Sequence, residues 1–488
     1  MTILEPLIAG RGGPEALIGE ARDLQRRRRR RSVLAIVLVA GVGAIGYGVD
    51  RSGSSGAGAA RDPGAAARTL LYGFAGSYAA PSTLARVNPK TLQLVGERLR
   101  VPRDFSPGAL APDGTHVLLL NHTNRGEPTL SIVDLTTLRI ESALQPRLDA
   151  ALGRGRAVTA VWPAADRLLV VAQRLGRARW RRGPRVVVAQ TLIAINPSTG
   201  AVQWKRDLGA KLLPTDQGTI GGTAVFVLQS GRSAQRGQAA VMTVSPSGSL
   251  HSSLIAVPAA GYGIRIARLV VTAGDSGSHA YVLTGGGTIY SVDPLTARTT
   301  RHVVPTPGNA PATSPPDLIL SGSPLGDNIV VSSFFPRPAG PPAAGVYLID
   351  PASWTARLLD PTTPAWLTSG TSLLTFTQAG QFRLPSSWRS KGTGITIYDE
   401  SGAVRRHLYG TQAFATVTTT PGFAAAVLPS PPDRTTQPHT PAQYRAREAT
   451  TTLHELLFNA STGRTLGSRT VIGQPPALIR PPATSPHR

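Results

Sequence analysis

The sequence predicts an all-β fold, an eight-bladed (or seven-bladed) β-propeller preceded by a single N-terminal transmembrane helix, and three observations carry that prediction. An apolar run ending in Asn, Asp or Ser, a tight turn and a second run recur eight times, pivoting on Asn88, Asp134, Asn196, Ser245, Asp293, Asp350, Asp399 and Asn459. The pivots lie 46, 62, 49, 48, 57, 49 and 60 residues apart, each the length of one four-stranded blade. The 52 Gly and 42 Pro sit among runs rich in Val, Ile, Leu and Thr, as a turn-dense strand protein requires. Finally, six consecutive arginines at 26–31 precede an uncharged apolar stretch at 32–49.

The elements follow in chain order. Residues 1–31 form a cytoplasmic tail that ends in the arginine block and holds one short helix at 14–25. Residues 32–49 lie at the short end of what spans a bilayer as a helix. The arginines keep their side in the cytoplasm by the positive-inside rule, which puts everything after Asp50 outside. A cleaved signal peptide is the competing reading, with Ala57-Gly58-Ala59 as a processing site. The apolar stretch is long for a signal, and that site lies well past its end. Gly41, Gly43 and Gly46 spell GxGxxG, but the Gly/Ser/Ala linker of 50–68 follows instead of an amphipathic helix and an acidic residue. They read as small residues in a membrane helix.

The propeller occupies 69–482, and 483–488 is a tail. The turn physics supports it: the pivot side chain accepts a hydrogen bond from its own backbone two residues on, Pro at 89, 197, 246, 294 and 351 pre-sets φ, and Gly accepts φ > 0. The third blade shows the pattern best, with strand A at 157–162, B at 167–172, C at 186–196 and D at 201–208. The first blade lacks its own strand A. The carboxy-terminal QPPALIRP (474–481) is the candidate to supply it, closing the ring and removing open sheet edges.

The segment LIAINPSTGAVQWKRDLG (192–209) resembles the repeat of the quinoprotein-like (PQQ-type) propellers, on Asn196, Thr199, Gly200 and Trp204. Among the other seven turn copies Thr-Gly recurs only at 462–463, and Trp204 has no counterpart at the equivalent position. The resemblance implies a seven- or eight-bladed fold; the membrane-anchored, bacterial setting is read from residues 26–49 and from export without cysteine. It implies no cofactor: the PQQ-dependent enzymes need further calcium- and quinone-binding residues, often with a vicinal cysteine pair, and this chain has no cysteine. That absence also excludes disulfides, thiolate metal sites, a cysteine nucleophile and a lipobox anchor.

The tight turns all join strand C to strand D, so they share one face. The long insertions, at 121–128, 173–185, 229–238, 334–345, 378–394 and 429–450, fall between B and C on the opposite face; only the fifth blade shows a short link there, GGG at 285–287. Binding residues concentrate on loops held by a rigid scaffold, so this face and its central mouth are the expected recognition surface. In the insertion of the third blade Arg174, Arg177, Arg179, Arg181, Arg182 and Arg185 surround Trp180. Guanidiniums pair bidentately with phosphate or carboxylate and the indole adds a stacking surface, which suits an anionic wall polymer, lipid headgroups or an acidic protein. The plain alternative is a solvated, arginine-biased hairpin, in keeping with a chain of net charge +24 that has only four lysines. Nucleic acid fits the chemistry but not the compartment.

Catalytic signatures are sparse. The nine histidines, His116, His122, His251, His279, His302, His407, His439, His454 and His487, show no HExxH or HxH spacing. Gly274-Asp275-Ser276-Gly277-Ser278 looks like a serine-protease nucleophile segment but reads as the A–B turn of the fifth blade. GxSxG, P-loop and calcium-loop patterns are absent. Trp204 reads as blade packing. The expected function is non-enzymatic binding or scaffolding at the cell envelope, with the membrane engaged through 32–49 and no cofactor or metal. An anchored propeller enzyme with its site in the central channel (a lyase, lactonase or quinone-dependent oxidoreductase) is the alternative, and a sensor signalling through 14–25 is a weaker third.

Overall fold

The protein was analysed as a computed structural model. It describes residues 71–479 apart from 76–81, 89–93, 102–104, 122–129, 178–184, 211, 230–236, 258–266, 275–276, 285–287, 305–320, 333–344, 361–364, 377–393, 411–413, 415, 421, 429–451 and 473–476. The cytoplasmic tail, transmembrane helix and linker expected over 1–68 lie outside the described residues. Among those described, no helix is long and apolar enough to cross a membrane.

Among the described residues thirty-two strands form eight antiparallel sheets of four. The first blade holds β1 (Leu71–Ala75), β2 (Ser82–Val87) and β3 (Leu94–Val101); the second holds β4 (Phe105–Leu110), β5 (His116–Asn121), β6 (Leu130–Asp134) and β7 (Arg139–Ile140). The third comprises β8 (Arg156–Ala164), β9 (Arg167–Arg177), β10 (Arg185–Ile195) and β11 (Val202–Asp207), and the fourth β12 (Leu213–Ile220), β13 (Thr223–Gln229), β14 (Gln238–Val244) and β15 (Leu250–Ala256). Blade five runs β16 (Ala267–Gly274), β17 (Gly277–Thr284), β18 (Thr288–Val292) and β19 (Thr299–Val303); blade six runs β20 (Ser321–Leu325), β21 (Asn328–Ser332), β22 (Val346–Asp350) and β23 (Thr355–Asp360). Blade seven is β24 (Ala365–Ser369), β25 (Ser372–Phe376), β26 (Ile395–Asp399) and β27 (Val404–Leu408), and blade eight is β28 (Thr416–Thr420), β29 (Phe423–Leu428), β30 (Thr452–Asn459) and β31 (Thr465–Ile472). The last strand, β32 (Ala477–Ile479), returns to the first blade and pairs with β1, Leu478 opposite Gly73.

Each first strand of a blade packs beside the first strand of the next, from β4 to β8 and on to β32, which makes these the inner strands of a propeller. The blade count is eight, and the carboxy-terminal strand closes the ring as the sequence predicts. Burial follows position. The second strand β13 is buried at every residue, whereas the outermost β11 and β27 are exposed at nearly every one. Second and third strands are sandwiched between neighbouring blades and so read as continuous apolar runs. Leu118, Leu120 and Ile132 of blade two pack against Ala160, Leu168 and Val170 of blade three. Phe226 and Val244 of blade four do the same against Leu169 and Leu192.

One departure from an all-strand chain is α1 (Gln145–Leu152), which starts with Pro146 in its first turn and stops at Gly153, φ 56°. It stands in for the missing length of β7. Gln145 Nε2 donates to the Leu130 carbonyl at 2.9 Å, and Ser131 Oγ donates to Gln145 Oε1 at 3.0 Å, so a side chain satisfies part of the outer edge of β6. Leu148, Ala151 and Leu152 are buried between blades two and three. The first blade differs too: β1 and β2 are joined by only 76–81, a second short B–C link beside that of the fifth blade.

Candidate functional site

Strand polarity sorts the loops. Strand order puts the C-to-D connections on one face with the A–B turns, and from the second blade to the eighth each C-to-D connection is a pivot turn; the B-to-C connections lie at the other face. The pivots work as their chemistry requires. Asn196 Oδ1 accepts from the Ser198 and Thr199 amides at 3.0 and 3.2 Å, and Asn459 Oδ1 from Ser461 and Thr462 at 3.0 and 2.8 Å. Asp293, Asp350 and Asp399 accept from Leu295, Ala352 and Ala403 at 2.9, 2.8 and 2.9 Å. Hydrogen bonds from Thr296, Ser353 and Ser401 respectively, with those amides, hold these three carboxyls below the usual range. At Asp134 burial pushes the other way, and donors from Thr136 and Thr137 outweigh it.

On the B–C face the insertion of the third blade begins as strand. The β9–β10 pairing runs from Leu168 opposite Ile195 out to Arg177 opposite Arg185, with a bulge between Val187 and Ala189. Arg174 is exposed on this ribbon opposite Ala189. Arg177 and Arg185 are backbone register partners at its outer end, which the sequence spacing did not reveal. Arg179, Trp180, Arg181 and Arg182 lie in 178–184, outside the described residues. The base of the ribbon is braced by two amides: Gln173 Nε2 donates to Gln190 Oε1 at 2.8 Å, and the fully buried Gln190 passes its Nε2 to the Leu212 carbonyl at 2.7 Å. Beside them Arg156 pairs with Gln173 in register, and burial holds its guanidinium below its usual value.

The inner strands carry three ionisable side chains, Arg156, Asp216 and Arg268, and no histidine. Asp216 accepts from Leu269 N of blade five at 2.9 Å, a bond across blades, and from the adjacent Gln217 N of its own strand at 3.0 Å. Arg268 Nη1 donates to the Thr215 carbonyl at 3.3 Å. The described histidines lie on second, third and outer strands; His302 stacks on Trp354 at 3.7 Å and donates to or accepts from Ser291 at 3.0 Å. Among the described residues no group of three or more His, Asp or Glu converges to hold a metal ion. The nucleophile-like segment is the A–B hairpin of blade five, with Gly274 opposite Gly277. Trp204 packs, half-buried, against the blade-four cluster and over the Gly248 turn.

No protein-family model matches the chain, and no curated protein does. Among solved structures it is similar to the dihydro-heme d1 dehydrogenase NirN, at 10% identity over 84% of this chain and 75% of that one, with a TM-score of 0.48. It is also similar to apo AztD from Citrobacter koseri, at 10% identity over 84% of this chain and 98% of that one, TM-score 0.44. The C-terminal WD40 domain of Sif2 aligns at 12% identity over 73% and 89% of the respective chains, TM-score 0.42. The propeller assignment stands on the chain's own sheet order.

Proposed function

We propose that this chain is a membrane-anchored, extracytoplasmic propeller that binds or scaffolds at the cell envelope without catalysing a reaction, and that its contact surface is the B–C face with the arginine hairpin of blade three. The asymmetry between the faces supports this reading most. One face is built from turns of fixed chemistry, whereas the other holds the insertions, and the hairpin there is a braced extension of two eleven-residue strands. The inner strands support it further, because their single carboxylate is occupied in joining blades and, among the described residues, none of these strands carries a histidine. The residues of 26–49 support the anchor.

The test is retention of residues 61–488 on isolated cell-envelope material at low and high salt, beside a variant with alanine at the six arginines of 174–185. Salt-sensitive retention that the variant loses is the expected result, since guanidinium–anion pairs are screened by added ions. Equal retention of both proteins, or of neither, sinks the arginine-hairpin reading and sends the search to the central channel.

A further inference from the structure

Beyond the blade, β9 and β10 continue as a ribbon without flanking strands. Pairing with the inner strand stops at Arg156 opposite Gln173, and pairing with the outer strand stops at Asp207 opposite Thr191. The ribbon itself runs on to Arg177 opposite Arg185. Among the described residues, the inner edge of 174–177 therefore has no strand beside it, and neither has the outer edge of 185–189.

The two edges differ. The β10 edge is interrupted by the bulge at Val188, and a bulge blunts an edge against further pairing. The β9 edge is regular. Gly176 belongs to the same device: a Cβ there would overlap Val188 Cγ1, so glycine lets the bulged valine lie across the ribbon. Val186 and Val188 are 36% and 43% exposed, close to exposed Arg174, so the ribbon offers apolar surface and positive charge together.

We propose that the β9 edge at Arg174–Arg177 is a strand-addition site for an extended, acidic polypeptide segment. This names the partner class for the arginine hairpin and rests on the reading of that hairpin as an anion-binding element. A row of backbone N–H and C=O groups at about 3.3 Å per residue is matched by another polypeptide strand, whereas a phosphate polymer or a lipid headgroup meets the charge alone. Charge on an edge ordinarily blocks self-pairing, because like-charged copies repel. An acidic strand meets no such repulsion, so the residues that exclude a second copy select the partner.

The full chain in detergent micelles would be titrated with a fluorescent peptide of alternating Glu and Val. Two further probes are the same peptide N-methylated at four consecutive central residues, and polyphosphate. Methylation keeps the charge but removes backbone donors from both peptide edges, so at least about tenfold weaker binding is expected. Arg174→Glu should weaken the Glu–Val peptide and strengthen a Lys–Val counterpart, a reversal that mere unfolding cannot produce. Equal binding of the two Glu–Val peptides overturns the strand-addition site and leaves the arginine hairpin as a reader of charge. If neither peptide nor polyphosphate binds at low salt, the anion-binding reading falls with it.

Discussion

Gly200 and Gly463 occupy the same place in two pivot turns, with φ 69° and 67°, and replacing each by alanine separates two costs that usually arrive together. At Gly463 a new Cβ would meet Arg406 Cδ at 3.0 Å and Leu408 Cδ1 at 3.1 Å, both far ends of flexible side chains. Gly463→Ala should therefore cost little beyond the left-handed backbone penalty, about 1–2 kcal/mol. At Gly200 the Cβ would sit 2.8 Å from Arg147 Cβ, which is fixed to α1. Ordinary contact begins at 3.4 Å, so the helix must yield by about 0.6 Å. That strains the Arg147 Nη1 bond to the Thr199 carbonyl, 2.6 Å, the Lys205 Nζ bond to Ala151, 2.7 Å, and the seat of Leu148 and Leu152. Overpacking of this kind adds about 1–3 kcal/mol, giving about 2–5 kcal/mol for Gly200→Ala. Asparagine tolerates the left-handed region, so Gly463→Asn should be close to neutral while Gly200→Asn keeps the clash. Urea unfolding midpoints of the four variants supply the assay. A Gly200→Ala cost no larger than that of Gly463→Ala would refute the claim that α1 is seated on the turn.

The lowered carboxyls of Asp134, Asp293, Asp350 and Asp399 contribute stability that is fully present above the unfolded carboxyl value near 3.8 and is lost as pH falls from there through the folded values. Changing all four to Asn, the residue already at 88, 196 and 459, should leave unfolding at pH 7 nearly unchanged and flatten the acid limb below pH 4; because these groups are largely exposed the effect is modest, and an unaltered limb counts against the linkage. His302, whose imidazole burial holds below 6.5, should titrate there by proton NMR and move back toward 6.5 in Trp354→Ala. Its neutral form is the one the fold prefers, so its contribution is complete above pH 6.5 and declines as pH falls through the folded value. A variant ending at residue 473 loses three backbone pairs, Tyr72–Ile479, Gly73–Leu478 and Phe74–Ala477, and should lose about 3 kcal/mol; it should also self-associate on size exclusion through the opened edge.

The blades were legible because their turns are chemically explicit: an Asn or Asp carbonyl oxygen that accepts two residues on leaves a mark in the sequence wherever it occurs. The left-handed residue closing each turn was legible only where it is glycine. Leu138, Ala297 and Trp354 take φ 53°, 57° and 53° at the position of Gly200 and Gly463, and their side chains explain how. Leu138 and Ala297 are buried between blades and Trp354 is stacked on His302, so packing offsets a backbone penalty that a pattern search scores as a mismatch. The helix α1 was missed for the opposite reason. Its signals, Pro146 at the start and Gly153 after the end, stand in the sequence, but the regular strand rhythm on either side overrode eight residues of helical spacing.

The candidate site was legible as an arginine cluster and illegible as a shape. Charge and loop length are properties of the sequence, and they located the hairpin on the B–C face. That β9 and β10 outrun both flanking strands depends on where Arg156 and Asp207 stop pairing, and no local pattern states this. Gln173 and Gln190 illustrate the difference. Within a run called polar insertion and a run called strand, they read as ordinary amides, yet their mutual bond and the one to Leu212 fix the base from which the ribbon projects. A flexible loop with six arginines would pair with any polyanion and lose conformational entropy in doing so; a ribbon held at its root presents Arg174 and a backbone edge that, among the described residues, has no strand beside it. On the strand-addition proposal, specificity at this face comes from the strand that carries the charges more than from their number, which is why the N-methylated peptide discriminates where polyphosphate alone does not.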